Sequence, residues 1–235
     1  MTGTQHFMLD QYKQQHPYLV ALDSIILGFD GDNLKVLLVK RGVNEETWSL
    51  MGGWLQPDET LDRAANRILF ELTGLNDVYL EQLHAFGDPH RDPITRTVSV
   101  AYFALIKVGT DESGLSDAYQ AQWFSVYELP HLLFDHAQMI ELALKRLRYK
   151  AAHQPIGFEL MPEKFTIPQL KKLFDAIYNT DFDRRNFSRK ILSTGLLIKL
   201  DEKQKGFSKK GAYYYQVDKE KYQQASESLL SFIAN

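Results

Sequence analysis

No cysteine occurs among the 235 residues, which excludes disulfides and thiolate metal sites and agrees with a reducing compartment. No stretch approaches the roughly 20 apolar residues that a membrane-spanning helix needs. Residues 1–17, with Gln5, Asp10, Gln14 and Gln15 among them, lack the apolar segment of a secretory signal. A cytoplasmic location with no membrane partner is therefore expected. Basic residues are scarce in the front of the chain: residues 1–163 hold 13 Lys and Arg against 22 Asp and Glu, a net −9. Residues 164–235 reverse this, with 14 against 8, a net +6. An acidic front and a basic back point to two domains with different partners. The hydrophobic content of 44% is ordinary for a soluble globular protein, so a core is available.

Residues 1–17 read as a polar tail without a hydrophobic period. Residues 18–29 and 34–40 are rich in Val, Leu and Ile on either side of Asp30-Gly31-Asp32-Asn33, a strong hairpin signal. Gly52-Gly53 opens a loop that ends at a helix over 60–73, closed by Gly74. Strand-like runs follow at 78–86, 95–108 and 121–126, then a helix from about Ala137 to Tyr149. Strands around a central helix suit an α/β sandwich across residues 18–150. The loop 87–93, bracketed by Pro89 and Pro93, is held in shape by its prolines and presents Asp88, His90, Arg91 and Asp92 to a polar ligand or to one another. Trp48 and Trp54 flank the glycine pair as core residues or as stacking surfaces for a ring. Lys40 and Arg41 stand at a strand end, where they either attract an anion or only meet solvent. His131, His136 and Glu141 are spaced five and five, which does not place them on one helical face, and Pro130 interrupts the segment; no metal site is expected from them.

Residues 151–164, with Pro155, Gly157 and Pro162, form a linker. The domain expected over 165–235 begins with a helix whose start is unusually complete: Thr166 as cap, Gln169 completing a capping box, Phe165 and Leu170 as a staple. A second helix starts at Asp183 and closes at Gly195, turning Phe187 and Ile191 inward and leaving Arg184, Arg185, Asn186, Arg189 and Lys190 outward. Residues 196–200 and 212–217 then read as two strands joined by a basic tip that includes Lys209 and Lys210.

The stretch from Gly53 resembles the Nudix box, whose frame of glycine, glutamate, arginine, glutamate and glycine is met at Gly53, Glu59, Arg67, Glu71 and Gly74. Ile68 and Leu72 stand where that family carries glutamate. Helical spacing gives positions 68, 71 and 72 broadly one direction, so one carboxylate, Glu71, is expected between two aliphatic side chains where a hydrolase has a magnesium-binding cluster. Glu59 and Arg67 are expected to pair and brace the loop. The reading is a Nudix frame without hydrolysis and without a cofactor; Glu59 and Glu71 would matter for metal only in a hydrolase acting on ADP-ribose-like nucleotides. The helix, basic helix and basic-tipped hairpin resemble a winged helix-turn-helix, in which the second helix enters the major groove and wing lysines meet phosphates.

Together the two halves resemble the Nudix-related transcriptional regulators, which implies an α/β/α sandwich with a mixed sheet over residues 18–150 and a winged helix-turn-helix after it. That resemblance implies operator DNA as a partner, a homodimer, and a small-molecule effector held in the Nudix part, here by Lys40, Arg41, Trp54, Asp88, Arg91 and Asp92. DNA would be held by Arg184, Arg185, Asn186, Arg189, Lys190, Lys209 and Lys210. The run from Trp48 to Gly53 and the sequence Phe134-Asp135-His136 look like the branch that controls sugar catabolism, so a repressor responding to a pentose such as L-arabinose is expected. The alternative branch senses ADP-ribose and controls NAD metabolism.

Overall fold

The computed structural model describes residues 11–40, 47–74, 78–108, 120–153, 158–204 and 211–221. The front of the chain is built on two long strands, β1 (Leu19–Phe29) and β2 (Leu34–Lys40). They pair antiparallel, Phe29 opposite Leu34. The hairpin forms as its sequence indicates: the Asp30 carboxylate accepts the amides of Asp32 (2.9 Å) and Asn33 (2.8 Å), and Gly31 takes a φ of 103° that suits glycine. Next come β3 (Trp48–Ser49), β4 (Met51–Trp54), helix α1 (Leu61–Thr73), β5 (Tyr79–Phe86), β6 (Thr97–Lys107), β7 (Gln122–Ser125) and helix α2 (His136–His153). The sheet order is β3-β2-β1-β6-β5, with β4 on β1 and β7 on β2. β1 and β6 run parallel over eleven residue pairs while the other pairs are antiparallel, giving the mixed sheet expected.

β1 is buried along nearly its whole length because both faces of the sheet are covered. On one face Leu22 and Ile26 join Val100, Tyr102 and Ala104 beneath α1, whose Ala64, Ala65, Ile68, Leu69 and Leu72 form the inward stripe. On the other, Ile25, Leu27, Ala101 and Phe103 meet Met139, Ile140, Ala143 and Leu147 of α2. Two expectations change here. The glycine pair lies within β4 rather than opening a loop, since Gly52 and Gly53 pair with Asp23 and Leu22 of β1. Helix α2 runs past residue 150 to His153.

After a 3-10 turn at Phe158–Leu160 come β8 (Phe165–Thr166), helix α3 (Ile167–Tyr178), helix α4 (Arg184–Ser193), β9 (Leu197–Gln204) and β10 (Ala212–Val217). The capping box is complete: the Thr166 hydroxyl accepts the Gln169 amide, and the Gln169 side chain accepts the Thr166 amide at 2.8 Å. The Asp183 carboxylate caps α4 by accepting the Asn186 amide at 2.8 Å, and Gly195, at φ 69°, follows its end. β9 extends four residues beyond the expected strand, and β8, too short to read from sequence, pairs with β10 as a third strand. Leu160, Met161, Phe165, Leu170, Leu173 and Ile177 share one continuous core with α2, so the described part of the connection is packed.

Candidate functional site

At the box, Arg67 does the bracing. Its Nε donates to Glu59 Oε2 at 3.0 Å, and its Nη2 donates to Glu59 Oε1 at 2.6 Å and to the Trp54 carbonyl at 3.1 Å. Its Nη1 reaches Glu71 at 3.2 Å. These bonds tie the loop to the helix, as expected, and the guanidinium holds the Glu59 carboxyl below its ordinary value. The expectation for positions 68, 71 and 72 is corrected. α1 lies flat on the sheet, and successive residues are about 100° apart around a helix. Ile68 and Leu72 therefore fall in the inward stripe, 2% and 5% exposed, while Glu71 turns outward to Arg67. Both box carboxylates are engaged by one arginine and the two lost ones are replaced by core residues. Among the described residues no group of three or more His, Asp or Glu could hold a metal ion. The two box carboxylates that remain, Glu59 and Glu71, are both salt-bridged to Arg67, so among the described residues the box does not present a cluster of free carboxylates.

On the opposite face of the sheet, a buried polar cluster gathers around Asp23. Arg91, 8% exposed, donates from Nε and Nη2 to the two oxygens of Asp135, at 3.0 and 2.7 Å, and its Nη2 lies 3.5 Å from Asp23. Ser99 donates to Asp23 at 2.6 Å. His136, also buried, accepts the Leu50 amide at Nδ1 (3.1 Å), which leaves the ring proton on Nε2, 3.7 Å from Asp23. Burial of these charges is tolerated because each has an opposite partner and hydrogen bonds. Gly52 pairs with Asp23, and a Cβ there would come within 2.6 Å of the Leu22 carbonyl, so only glycine lets β4 lie this close.

Of the residues expected to bind effector, Trp54 and Arg91 each lie against the first half of β1. Trp54 pairs with Ala21 and is half exposed; Arg91 reaches Asp23 two residues on. Asp88 and Asp92 shape the loop, Asp88 accepting the His90 amide (2.7 Å) and Asp92 the Ile94 amide (2.9 Å). Arg96 secures the same loop by donating to the carbonyls of Asp88 and Gly87, both at 3.0 Å. Lys40 lies over the Trp48 ring at 5.5 Å. Arg41 falls outside the described residues. Sequence reasoning does not find Asp23, Ser99, Asp135 and His136 as a cluster. The available signal is Asp23 itself, a charge inside an apolar run that both faces bury.

The second surface is α4. Phe187 and Ile191 pack inward, Phe187 edge-on to Phe174 at 5.3 Å. Arg184, Arg185, Asn186, Arg189 and Lys190 are all exposed. Arg189 donates to Asn186 at 3.0 Å, and among the described residues no carboxylate forms an ion pair with these four cations. By contrast Lys171 on α3 holds both Asp175 and Asp181 at 2.6 Å. Lys209 and Lys210 lie outside the described residues. On the wing, two cations not singled out from sequence, Lys199 and Lys203, flank the Tyr213 ring at 3.7 and 4.4 Å. The shared ring places both cations on the same face of the wing.

Comparison with known proteins identifies both domains. The NUDIX domain model matches residues 17–143, and the model of the NrtR DNA-binding winged helix domain matches residues 157–217. The "ADPR responsive transcriptional repressor NtrR" of Acinetobacter baylyi is 29% identical over 208 residues, covering 86% of this chain and 83% of that protein. The ADP-ribose pyrophosphatase of Methanocaldococcus jannaschii is 36% identical over 128 residues, 54% of this chain and 72% of that enzyme. Shewanella oneidensis NrtR complexed with a 27mer DNA is 28% identical with a TM-score of 0.74, over 85% of this chain and 93% of that one. The NUDIX domain of the same protein complexed with ADP ribose is 31% identical with a TM-score of 0.51, over 63% of this chain and 99% of that one. This chain therefore belongs to the Nudix family, as a Nudix domain followed by a winged helix domain of the NrtR type.

Proposed function

We propose that this protein is a transcriptional repressor that binds operator DNA through α4 and the wing, and that ADP-ribose, held in the Nudix domain, governs that binding. The observation that carries the reading is the pairing, in one chain, of a Nudix frame whose metal positions are packed as core with a helix presenting Arg184, Arg185, Arg189 and Lys190 free of carboxylate partners among the described residues. Cations left unpaired on one helix face are suited to phosphate contacts, and Asn186 among them is suited to a base edge. The expected sugar effector gives way to the nucleotide: a relative matched over most of its length is named as ADP-ribose-responsive, and a homologous Nudix domain is known with ADP-ribose bound.

The chemistry of ADP-ribose is compatible with the proposed contacts. Its adenine could stack on half-exposed Trp54, and its pyrophosphate requires cations, which Lys40 and Arg41 would supply, and amide donors, which the backbone of the loop around Arg91 would supply. Asp88 and Asp92 would take ribose hydroxyls. The protein would act as a homodimer on a two-fold operator. The Nudix domain would bind its ligand without turning it over, because Ile68 and Leu72 occupy the metal positions. Calorimetry with ADP-ribose and with L-arabinose, followed by product analysis in magnesium, tests this. Saturable ADP-ribose binding without product supports it; magnesium-dependent cleavage abolished by Glu71→Gln would establish a hydrolase instead.

A further inference from the structure

Helix α2 holds a different partner at each end. At its start, Asp135 accepts the paired donors of Arg91, and its carbonyl accepts the amides of Gln138 (3.0 Å) and Met139 (3.2 Å). His136, the first helical residue, accepts the Leu50 amide next to the glycine strand. The helix is therefore seated on the polar cluster beside the proposed effector pocket. About 20 Å along the axis from Asp135, at 1.5 Å per residue, Arg148 reaches into the winged helix. Its Nε donates to the Ile177 carbonyl at 2.9 Å, and its own carbonyl accepts the Tyr178 hydroxyl at 2.8 Å. Its Nη2 also donates to the Tyr127 hydroxyl at 3.2 Å, and that hydroxyl lies 2.6 Å from the Ala176 carbonyl.

Ala176 and Ile177 are in the last turn of α3, where carbonyls have no amide partner within their own helix. Donors for these carbonyls thus come from the Nudix domain. The body of α2 between the two ends is core: Met139, Ile140, Ala143, Leu144 and Leu147 pack in the same cluster as Leu170, Leu173 and Ile177 of α3. The last turn of α3 in turn places α4, since Asp175 accepts the Phe182 amide at 3.0 Å and Phe174 meets Phe187.

We infer that Arg148 and Tyr127 are positioning residues for DNA reading, and that α2 acts as a rigid rod through which the state of the Arg91–Asp135 clamp is passed to α3 and α4. The inference rests on the reading of the Nudix domain as an effector sensor. A packed helix moves as a unit because close-packed interiors do not deform continuously. A shift of its seated end must then drag α3 along or leave the Ala176 and Ile177 carbonyls without their donors, which is unfavourable. Lys172, paired with Asp32 of the β1–β2 hairpin, ties α3 to the Nudix domain at a second point.

A double-mutant cycle tests this without any ligand. The probe is a fluorescent duplex enriched by the full-length protein from a randomised library. Its affinity is measured for the wild type, for Asp135→Asn, for Tyr127→Phe with Arg148→Gln, and for the combination. Asp135→Asn is expected to change duplex affinity by about fivefold in the wild-type background and by less than about twofold once the caps are gone, the signature of coupled sites. An equal effect in both backgrounds, no effect included, would overturn the inference. Tyr127→Phe alone, which keeps the ring packed, carries the cycle where the paired variant does not fold. A parallel titration separates the two claims. With the caps removed, calorimetry should return the wild-type ADP-ribose affinity while ADP-ribose releases far less duplex than from the wild type. Absence of any ADP-ribose heat from the wild type would refute the effector reading, and the cycle would still decide the coupling.

Discussion

A Cβ on Gly53 would lie 3.1 Å from Cδ1 of Ile68, so the strand that carries the glycine pair rests directly on the side chain that stands where a Nudix hydrolase has a glutamate. The aliphatic side chain at position 68 thus serves packing. Ile68→Glu is expected to destabilise the fold by about 3 kcal/mol, the scale of an uncompensated buried charge, without conferring hydrolysis. Urea unfolding together with a product assay checks both parts. A stable, magnesium-dependent hydrolase from this single change would refute the packing account.

The Arg91 fork should be worth more to stability than any charge on the surface. Its side chain is 3% exposed and neutralises two carboxylates that are themselves 10% and 13% exposed. Arg91→Met strands both, at an expected cost of about 3 to 5 kcal/mol. Arg91→Lys keeps the charge but loses the two-pronged geometry and should fall between. Adding Asp135→Asn to Arg91→Met should recover part of the loss in thermal unfolding; no recovery would mean that the carboxylate is not the source of the penalty.

On α4 the prediction concerns salt. Arg185→Ala and Arg189→Ala should leave stability within about 0.5 kcal/mol, since both residues are exposed. Each should weaken duplex binding and reduce the slope of log affinity against log salt by about 0.9 for every phosphate that the side chain no longer neutralises. Unchanged affinity and slope would move the DNA surface elsewhere.

Glu81 supplies a pH test of the sheet-to-α2 contact. Burial raises its carboxyl, but hydrogen bonds from Lys150, Tyr79 and Arg146 outweigh this and hold it below the ordinary glutamate value of 4.5. Lys150 stands 2.5 Å and Arg146 2.8 Å from its oxygens. A depressed folded value means that the stabilisation is complete above the unfolded value and disappears as pH falls through the folded one. Glu81→Gln should therefore cost about 1 kcal/mol at neutral pH, and the difference from wild type should narrow as pH falls below the ordinary glutamate value of 4.5. A difference constant from pH 7 to 3 would contradict the assignment.

Much of the fold is legible in the sequence because its signals are local. Thr60 and Gly74 bound α1, Thr166 with Gln169 opens α3, and Asp30 with Gly31 makes the hairpin; each is a short-range rule obeyed in place. The outward charges of α4 follow from its period. The polar cluster is not legible, since Asp23 and Ser99 are 76 positions apart, Arg91 and Asp135 are 44 apart, and it takes both parallel pairing of β1 with β6 and the seating of α2 to bring the set together. The face of α1 escapes sequence reading because helical spacing fixes relative angles, while the sheet decides which angle points inward. Phe134, Asp135 and His136 do not decide between a sugar and a nucleotide effector, because Asp135 and His136 seat α2.

The central claim, a nucleotide-governed repressor, is tested most directly by fluorescence anisotropy of the enriched duplex on the full-length protein, with ADP-ribose or L-arabinose titrated in the absence of magnesium. The account predicts that ADP-ribose changes duplex affinity saturably and that arabinose leaves it untouched. Release by arabinose with no response to ADP-ribose would contradict it.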